Sequence, residues 1–316
     1  MIVVASKPGQ LANLLFLSAQ FIACARENHF TLVNPAFEDY ARYFETTRRD
    51  LFCRYPPRKS LLPASAALRR ILYRICYYAG RLLVRTGAET RFLRAIALDW
   101  EERFYLGDAQ FRASLAAHRQ LIFAQGWLFR DDEALSRQAV EVRRFFEPLI
   151  EHRERVASLV ERAREGAEVL VGVHIRQGDY RTHLGGKYFY ELDVYAALME
   201  RVEASLGAGE RRVRFLVCSN EPQGSEALSR LDWTAGTGHL VEDLYALAAC
   251  DYILGPPSTF TMWASFYGEV PLYLVEDPQR TPRTGDFVVC DPARFRSPTD
   301  TGIVSTRAGR EVKVSA

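Results

Sequence analysis

Residues that could bind an anion follow an apolar run near the middle of the chain. The run from Val169 to Val173 is short and β-branched, which is typical of a buried strand. Because side chains alternate along a strand, His174 and Arg176 are expected to share one face. A guanidinium can pair two phosphate oxygens at once, so Arg176 is a candidate phosphate ligand. A structural interpretation, with a salt-bridged arginine and a core histidine, stays open at this point.

A second candidate anion site follows a later strand. The strand predicted over Tyr252–Gly255 is followed by two prolines and then by Ser258, Thr259 and Phe260, which begin a helix. The backbone N–H groups at that helix start, together with the helix dipole, favour a bound anion. Ser258 is equally suited to be an ordinary N-cap, and the two roles are compatible.

Two further groups complete the predicted constellation. Asn220 follows the strand predicted over Val213–Cys218, and ligands of parallel sheets bind beyond the carboxyl ends of strands. Asp243 lies in a Glu-Asp pair, which is most often a plain helix-start charge. A carboxylate at such an edge can also accept the N1–H and 2-amino hydrogens of guanine, a donor pair that adenine and uracil lack. With Arg176 and the helix start at Ser258, one such carboxylate would describe a site for a guanine nucleoside diphosphate.

Length and composition limit the remaining possibilities. At 316 residues with a net charge of +2, the chain is long enough for two domains and gives no argument for nucleic acid binding. The start of the chain has no basic segment before an apolar core, and no apolar run reaches the length of a membrane span. The six cysteines lack Cys-x-x-Cys spacing, which indicates reduced thiols in a cytoplasmic protein and no zinc site.

The amino-terminal segment predicts the start of a βαβ unit. Its elements are a strand over Ile2–Ala5, a loop to Ala12, a helix over Asn13–Glu27 and a strand over Phe30–Val33. The loop lacks the three glycines of the dinucleotide fingerprint, which argues against an NAD site.

Alternating strands and helices fill the second half of the chain. After a strand over Leu121–Ala124 and a helix over Pro148–Arg164, the further predicted elements are strands over Val169–Ile175, Val213–Cys218, Tyr252–Gly255 and Val270–Val275, and helices over Phe189–Leu206, Glu242–Ala249 and Ser258–Tyr267. Such alternation favours an α/β fold with a parallel sheet covered on both faces. We place the domain boundary at residue 165, giving domains over 1–165 and 166–300 and a polar tail over 301–316.

A basic segment over about 54–100 interrupts the first domain. Between Leu68 and Arg85 the apolar residues recur with helical period, and five arginines are predicted on the opposite half of the wheel. A solvated basic face is the favoured interpretation of this pattern. A peripheral contact of residues 68–85 with an anionic membrane is the alternative.

Three motifs resemble those of known fucosyltransferases. The segment His174-x-Arg176-x-Gly178-Asp179-Tyr180 resembles the signature of the α-1,2-fucosyltransferases of glycosyltransferase family 11, and more loosely the His-x-Arg strand of α-1,6- and protein O-fucosyltransferases. Gly9 to Phe16 is similar to the family's Gly-Gly-Leu-Gly-Asn-Gln-Met-Phe. The segments 242–245 and 258–263 are similar to its Asp-Leu-Tyr and Ser-Ser-Phe-Ser-Trp-Trp. The chain departs from these patterns at Gln177, Leu14 and Ala12, which predicts a divergent subfamily.

This resemblance implies a GT-B fold, with two Rossmann-like domains facing a cleft and GDP-fucose held by the C-terminal one. Carried over to this chain, Arg176 would bind the β-phosphate, and His174 and Asp243 would hold guanine. The backbone of Ser258 and Thr259 would cradle the diphosphate, and Asn13 would approach the sugar from the N-terminal loop. The implied acceptor is a hydroxyl of a glycan or of a lipid-linked oligosaccharide.

The implied reaction is an inverting fucosyl transfer without cofactor or metal, since the chain has no Asp-x-Asp and the triplet 131–133 is interpreted as a solvated turn. Asp179 is a candidate catalytic base or a cap of the Gly178 turn, with His183 and Glu221 as weaker base candidates. A transferase for another GDP-sugar and a non-catalytic GDP- or glycan-binding protein remain alternatives.

Overall fold

The computed structural model describes residues 1–118, 120–207, 211–221 and 226–292. They form two compact units that divide between Leu149 and Ile150. The helix that precedes the boundary proposed at residue 165 therefore groups with the second unit. The predicted tail over 301–316 lies outside the described residues, as do the last eight residues of the predicted second domain.

The first unit is built on a parallel sheet in the order β2-β1-β5-β3. Strands β4 and β6 form a separate two-stranded parallel sheet. The elements of this unit are β1 (Ile2–Val4), α1 (Leu11–Glu27), β2 (Leu32–Val33), α2 (Ala66–Thr86), β3 (Leu93–Ala97), β4 (Arg103–Tyr105), α3 (Ala109–His118), β5 (Leu121–Gln125), β6 (Leu128–Arg130), α4 (Asp132–Arg137) and α5 (Ala139–Phe145). The predicted βαβ start is confirmed, whereas β3, β4 and β6 were not predicted.

Helix α1 begins at Leu11, so Asn13 lies in its first turn and not on the preceding loop, contrary to the prediction. The helix is apolar on nearly all sides, and fourteen of its seventeen residues are buried. Gly9 adopts φ +87°, and a Cβ on it would lie 2.3 Å from Nδ2 of Asn13. Glycine therefore allows the loop to close tightly over the first turn of the helix.

Helix α2 confirms the predicted helix but not its predicted faces. Cys76, Ala79 and Leu83 pack towards the sheet, whereas Leu68, Ile71, Ile75 and Leu82 are 39–61% exposed. Arg69, predicted on the outer face, is buried and donates to the carbonyls of Thr47 and Arg48 at 2.8 and 2.9 Å. The helix lies so close to β5 that a Cβ on Gly80 would meet Nε2 of Gln125 at 3.0 Å, so only a narrow face can be covered.

The acidic triplet 131–133 is not a solvated turn. Asp131 is the N-cap of α4, with Oδ1 accepting from the Ala134 N–H at 3.0 Å and Oδ2 accepting from Arg112 at 2.6 Å. Its side chain is buried, whereas that of Glu133 is exposed. The first carboxylate therefore starts a helix, which is the usual role of Asp at this position.

The second unit has a six-stranded sheet in the order β12-β11-β10-β7-β8-β9, parallel except for β12. Its elements are α6 (Ile150–Arg164), β7 (Val169–Ile175), α7 (Leu192–Leu206), β8 (Val213–Ser219), β9 (Trp233–Ala235), α8 (Leu240–Leu247), β10 (Tyr252–Gly255), α9 (Thr259–Gly268), β11 (Pro271–Leu274) and β12 (Val288–Val289). The predicted strands and helices are all present: β7 and β10 match their predicted limits, and the ends of the others are shifted by up to three residues. The strands β9 and β12 were not predicted.

Alternate residues of β7 face different layers. Val171 and Val173 share a buried cluster with residues of α7, whereas a Cβ on Gly172 would lie 2.7 Å from Leu247 of α8. Both faces of this sheet are therefore covered, as the continuous apolar run over β7 predicts. None of the described helices is both long enough and apolar enough to cross a membrane.

Candidate functional site

The candidate site lies where the strand order of the second unit reverses. The chain runs from β7 to β8 and β9 on one side and returns to β10 and β11 on the other, so β7 and β10 are neighbours. Their connections leave in opposite directions, which opens a crevice at the carboxyl ends of the two strands. Arg176 follows β7 directly, and Ser258 follows β10 after two prolines.

Arg176 connects the two strand ends. Its Nη1 donates to Oγ of Ser258 at 3.2 Å, while Nε and Nη2 donate to Oδ1 and Oδ2 of Asp179 at 3.1 and 2.8 Å. The Arg176 side chain is 20% exposed and that of Asp179 is 53% exposed. The hydrogen bonds from Arg176 lower the pKa of Asp179, so its carboxyl is ionised at neutral pH. The ion pair expected under the structural interpretation is therefore present, and it lies at the crevice.

The Tyr180 ring packs against the guanidinium of Arg176. The Arg176 guanidinium carbon lies 4.7 Å from the centre of the Tyr180 ring, a cation–π contact. The Tyr180 hydroxyl donates to the Pro257 carbonyl at 2.6 Å, which joins the loop after β7 to the loop after β10. No role was predicted for Tyr180, although it lies inside the segment His174–Tyr180 that resembles the fucosyltransferase signature.

His174 is buried, and its ring nitrogens make no hydrogen bond of standard geometry among the described residues, although a weaker interaction with the Cys218 backbone favours the protonated ring. The imidazole stacks on Phe260 at 4.7 Å between ring centres with 25° between planes. Burial, with a smaller contribution from the nearby Arg176 charge, lowers the pKa of His174 to about 3, so the ring is neutral. Buried polar atoms are seldom left without partners, and a neutral imidazole offers one donor and one acceptor to a ligand.

One backbone N–H at the amino end of α9 already donates to the N-cap residue, Ser258. Ser258 is fully buried, and its Oγ accepts from the Phe260 N–H at 3.2 Å as well as from Arg176. The structural role expected for Ser258 is thus present, and the Phe260 N–H is used inside the helix start. Thr259 is the first residue of α9, beside this cap. The helix dipole still adds positive potential next to the guanidinium.

The side chain of Asn220, directly after β8, hydrogen-bonds to the turn that follows β7. The Gln177 N–H donates to Oδ1 of Asn220 at 3.1 Å, and a Cβ on Gly178 would lie 2.7 Å from Nδ2 of the same side chain. The Gln177 amide is buried and donates to the Tyr190 carbonyl at 3.2 Å. Asn220 therefore contacts the backbone that carries Arg176 and Asp179.

Asp243 lies in the first turn of α8, the helix that follows β9, and β9 is the neighbour of β8 in the sheet. It is buried in α8, and its Oδ1 accepts from the N–H and the hydroxyl of Thr237 at 2.7 and 3.2 Å. A Cβ on Gly236 would come within 2.7 Å of that oxygen, so glycine leaves room for the carboxylate. Burial raises the pKa of Asp243, which is only partly opposed by Thr237. Thr237 was not predicted as a site residue because no motif surrounds it.

The structure gathers most of the predicted site residues in the second unit. Strand β7 itself carries His174, and the loops and helix starts after β7, β8 and β10 carry Arg176, Asp179, Asn220, Ser258, Thr259 and Phe260. The weaker base candidates are both exposed: His183 stacks on Tyr180 at 5.1 Å, and Glu221 follows Asn220. Asn13 belongs to the other unit.

Among the described residues one group of His and Glu side chains has metal-ligand proximity. His152, His239 and Glu242 place ligand atoms within 4.8 Å of one another. The two rings are stacked at 4.8 Å, and Oε1 of Glu242 already accepts from His152 at 2.8 Å and Arg155 at 3.0 Å. Those hydrogen bonds outweigh burial and lower the pKa of Glu242, so the group is an ionic link between α6 and α8.

No protein-family model matches the sequence, and the search of curated proteins found no match. Solved structures of low identity share the fold. Fucosyltransferase FUT1 of Arabidopsis thaliana in complex with GDP matches with a TM-score of 0.54 at 12% identity, over 88% of this chain and 71% of that one.

Two further structures give TM-scores of 0.50. Fucosyltransferase NodZ from Bradyrhizobium is 16% identical over 88% of this chain and 96% of its own. POFUT1 in complex with GDP-fucose is 10% identical over 89% and 96%. The predicted α/β class with parallel sheets, of the GT-B-like type, is therefore confirmed.

Proposed function

We propose that this chain is a fucosyltransferase that uses GDP-fucose as donor and a glycan hydroxyl as acceptor. The observation that carries the proposal is the meeting of Arg176 and Ser258 at the start of α9, where Nη1 lies 3.2 Å from Oγ. The fold shared with structures of fucosyltransferases that hold GDP or GDP-fucose supports this choice of donor. The three motifs that resemble fucosyltransferase signatures include both of these residues.

In this proposal the diphosphate lies between Arg176 and the amino end of α9. The Nε and Nη2 donors that now hold the Asp179 carboxylate have the planar fork that a phosphate also requires. A phosphate would therefore replace Asp179 on the guanidinium without a change in the position of Tyr180 beneath it. Asp179 is half exposed, so it can turn to solvent when it is displaced.

Guanine would be read by His174 and Asp243. The His174 ring is neutral, buried and stacked on Phe260, and in this proposal guanine gives a hydrogen-bond partner to a ring nitrogen. The Asp243 carboxylate is held in place by Thr237 and can accept two hydrogens from the guanine edge. An adenine ring has no such pair of donors, so the proposed site is selective for GDP over ADP.

The proposed transfer inverts the configuration at the anomeric carbon. The acceptor oxygen forms a bond to that carbon while the bond to the β-phosphate oxygen breaks, and the acceptor proton passes to a base. Negative charge grows on GDP as it leaves, and a fixed guanidinium and helix dipole stabilise that charge. These groups supply the stabilisation that a divalent cation gives elsewhere, so we propose a reaction that needs no metal.

Asp179 is the proposed base. While Arg176 holds it, the pKa of its carboxyl is lowered and it is a poor proton acceptor. Displacement by the donor phosphate would remove that effect and raise the pKa towards the ordinary value. Binding of the donor would thus free the Asp179 carboxylate to accept the proton of an acceptor hydroxyl that attacks from the side of the sugar opposite the phosphate. Asn13 is proposed to contact the sugar of the donor.

An α-1,2-like linkage and a role in surface polysaccharide or glycan synthesis complete the proposal, with a glycan or a lipid-linked oligosaccharide as acceptor. We propose a cytoplasmic location, since the six cysteines are all free thiols and five of them are buried.

Transfer from radiolabelled GDP-fucose to a panel of glycans, with GDP-mannose as the matched donor, tests the proposal. We expect donor turnover with GDP-fucose that exceeds that with GDP-mannose by at least an order of magnitude. Turnover of GDP-mannose alone would indicate a transferase for another GDP-sugar. Tight GDP binding without turnover of any donor would indicate a binding protein of the same fold.

A further inference from the structure

The outer face of α2 carries an apolar stripe that nothing covers among the described residues. Its members are spaced by three and four residues and are between 39% and 65% exposed: Leu68, Ile71, Ile75, Tyr78 and Leu82. A surface helix of a monomeric domain normally turns such residues towards the core. Here the core-facing side of the helix is occupied by Cys76, Ala79 and Leu83, which pack on the sheet.

A basic stripe runs beside the apolar one. Arg70, Arg74, Arg81 and Arg85 are all exposed, and at 100° per residue they lie on the side of the apolar stripe away from the sheet. The helix contains no Asp or Glu between Ala66 and Thr86. The exposed face is therefore both apolar and strongly cationic.

The segment before the helix has the same apolar and basic character. Leu61 and Leu62 are 106% and 59% exposed, and Arg58 and Lys59 precede them in exposed positions. Ser65 then caps the helix, with its Oγ accepting from the Leu68 N–H at 3.3 Å. The apolar and basic character thus continues over more than one element.

We propose that this face of α2 binds the surface of an anionic lipid bilayer. The helix would lie in the plane of the interface, with the apolar stripe among the acyl chains and the arginines at the headgroup phosphates. Tyr78 lies in the middle of the stripe, and aromatic residues of this kind are enriched at membrane interfaces.

A second copy of this chain fits the same face less well. Pairing two such helices would bring their arginine stripes together, and neither helix has a carboxylate to offset the charge. An anionic bilayer instead supplies the opposite charge along the whole helix. The inference rests on the first unit alone and does not depend on the nucleotide proposed for the second.

Co-sedimentation with lipid vesicles tests this proposal. One preparation contains phosphatidylglycerol and phosphatidylcholine in equal amounts, and the other contains phosphatidylcholine alone. We expect the full chain to sediment with the first and not with the second, and to be released by salt. The triple variant Arg70→Glu, Arg74→Glu, Arg81→Glu should bind the anionic vesicles on the order of a hundredfold more weakly. Arg69 stays unchanged because it is buried in the fold.

Matched variants separate this surface from a general charge effect. The variant Arg144→Glu, Arg162→Glu, Arg230→Glu changes the net charge by the same amount at exposed positions elsewhere. It should keep most of the binding. Ile71→Ser with Ile75→Ser should weaken binding at constant charge, while Val140→Ser with Val288→Ser, also at exposed positions, should not.

Three outcomes would overturn the inference. The first is no sedimentation of the wild-type chain with anionic vesicles. The second is an equal loss of vesicle binding in the α2 variants and in their matched controls. The third is a concentration-dependent dimer that Ile71→Ser with Ile75→Ser abolishes, since a second copy would then cover the stripe. GDP binding by the same variants reports on the nucleotide proposal separately and should not change.

Discussion

The guanidinium of Arg176 holds both carboxylate oxygens of Asp179, with Nε 3.1 Å from Oδ1 and Nη2 2.8 Å from Oδ2. The two residues are three positions apart, on the turn that follows β7. A carboxylate on this fork occupies the donors that a phosphate would need. The pair therefore makes Asp179 an internal competitor of the proposed donor.

Replacement of Asp179 should affect binding and turnover in opposite directions. Asp179→Asn removes the competing charge, so GDP should bind about two- to fivefold more tightly, the range of a half-exposed ion pair. Turnover should fall by at least about a hundredfold, because the proposed base is lost. Calorimetry with GDP and single-turnover kinetics measure the two effects, with Asp193→Asn on α7 as the control. Unchanged turnover would remove Asp179 as the base.

Arg176 should contribute to the rate through its planar fork as well as its charge. Arg176→Ala should lower kcat by about a hundred- to a thousandfold, the usual cost of losing a donor to developing negative charge. Arg176→Lys should recover only part of this, since an ammonium cannot form the paired contact. Steady-state kinetics measure both, and Arg181→Lys, at an exposed position nearby, should change little. Near-full activity of Arg176→Ala would contradict the mechanism.

We predict that the buried His174 lowers the free energy of unfolding of the protein while it strengthens GDP binding. In His174→Phe the stacked ring on Phe260 is kept, but the buried unpartnered nitrogens are lost. The free energy of unfolding should rise by about 1 kcal/mol or more, while GDP should bind about tenfold more weakly. Thermal melts with and without GDP report both changes. A fall in both stability and affinity would indicate a purely structural histidine, and His183→Phe should leave both unaltered.

GDP binding should depend on pH through Asp243. Burial raises the pKa of this carboxyl, and guanine would bind its ionised form, so GDP affinity should fall as the pH drops through that raised pKa. In the free protein the sign is reversed: a raised folded-state pKa adds stability as the pH falls towards the unfolded value. In the folded protein His174 remains neutral between about pH 5 and pH 8, so it adds no pH dependence to GDP affinity there. The unfolded imidazole has its ordinary pKa of 6.5, so the lowered folded-state pKa of His174 makes the free energy of unfolding fall as the pH drops through that value.

Asp243→Asn provides the test of that assignment. The variant should bind GDP about tenfold more weakly at neutral pH, lose its preference over ADP and show no pH dependence in the same range. Calorimetric titrations at several pH values measure these properties. A wild-type pH profile retained by Asp243→Asn would place the titrating group elsewhere.

Strands were well predicted where burial on both faces made them continuously apolar. The strands β7 and β10 match their predicted limits because no solvent-facing residues interrupt them. β9 has no buried residue and β12 has only two residues, so neither gives a pattern in the sequence. The predicted faces of α2 were wrong, because helical periodicity defines an apolar face of a helix but does not show which part of that face packs on the sheet.

The candidate site was predictable where a motif places polar residues at strand ends. His174, Arg176 and Ser258 follow from that logic, since β7 and β10 are adjacent parallel strands. Thr237 and Tyr180 were missed because their roles depend on contacts across the sheet, to Asp243 and to the Pro257 carbonyl. The Arg176–Asp179 pair depends on side-chain conformation, which sequence spacing alone does not fix.

A crystal structure of the chain bound to GDP would show whether the nucleotide binds at the proposed site. The β-phosphate is expected within hydrogen-bond distance of Nε and Nη2 of Arg176 and of the amino end of α9, and we also expect Asp243 and His174 beside the guanine base. The Asp179 carboxylate is expected to have left the guanidinium. A nucleotide bound elsewhere, with the Arg176–Asp179 pair intact, would contradict the proposed site.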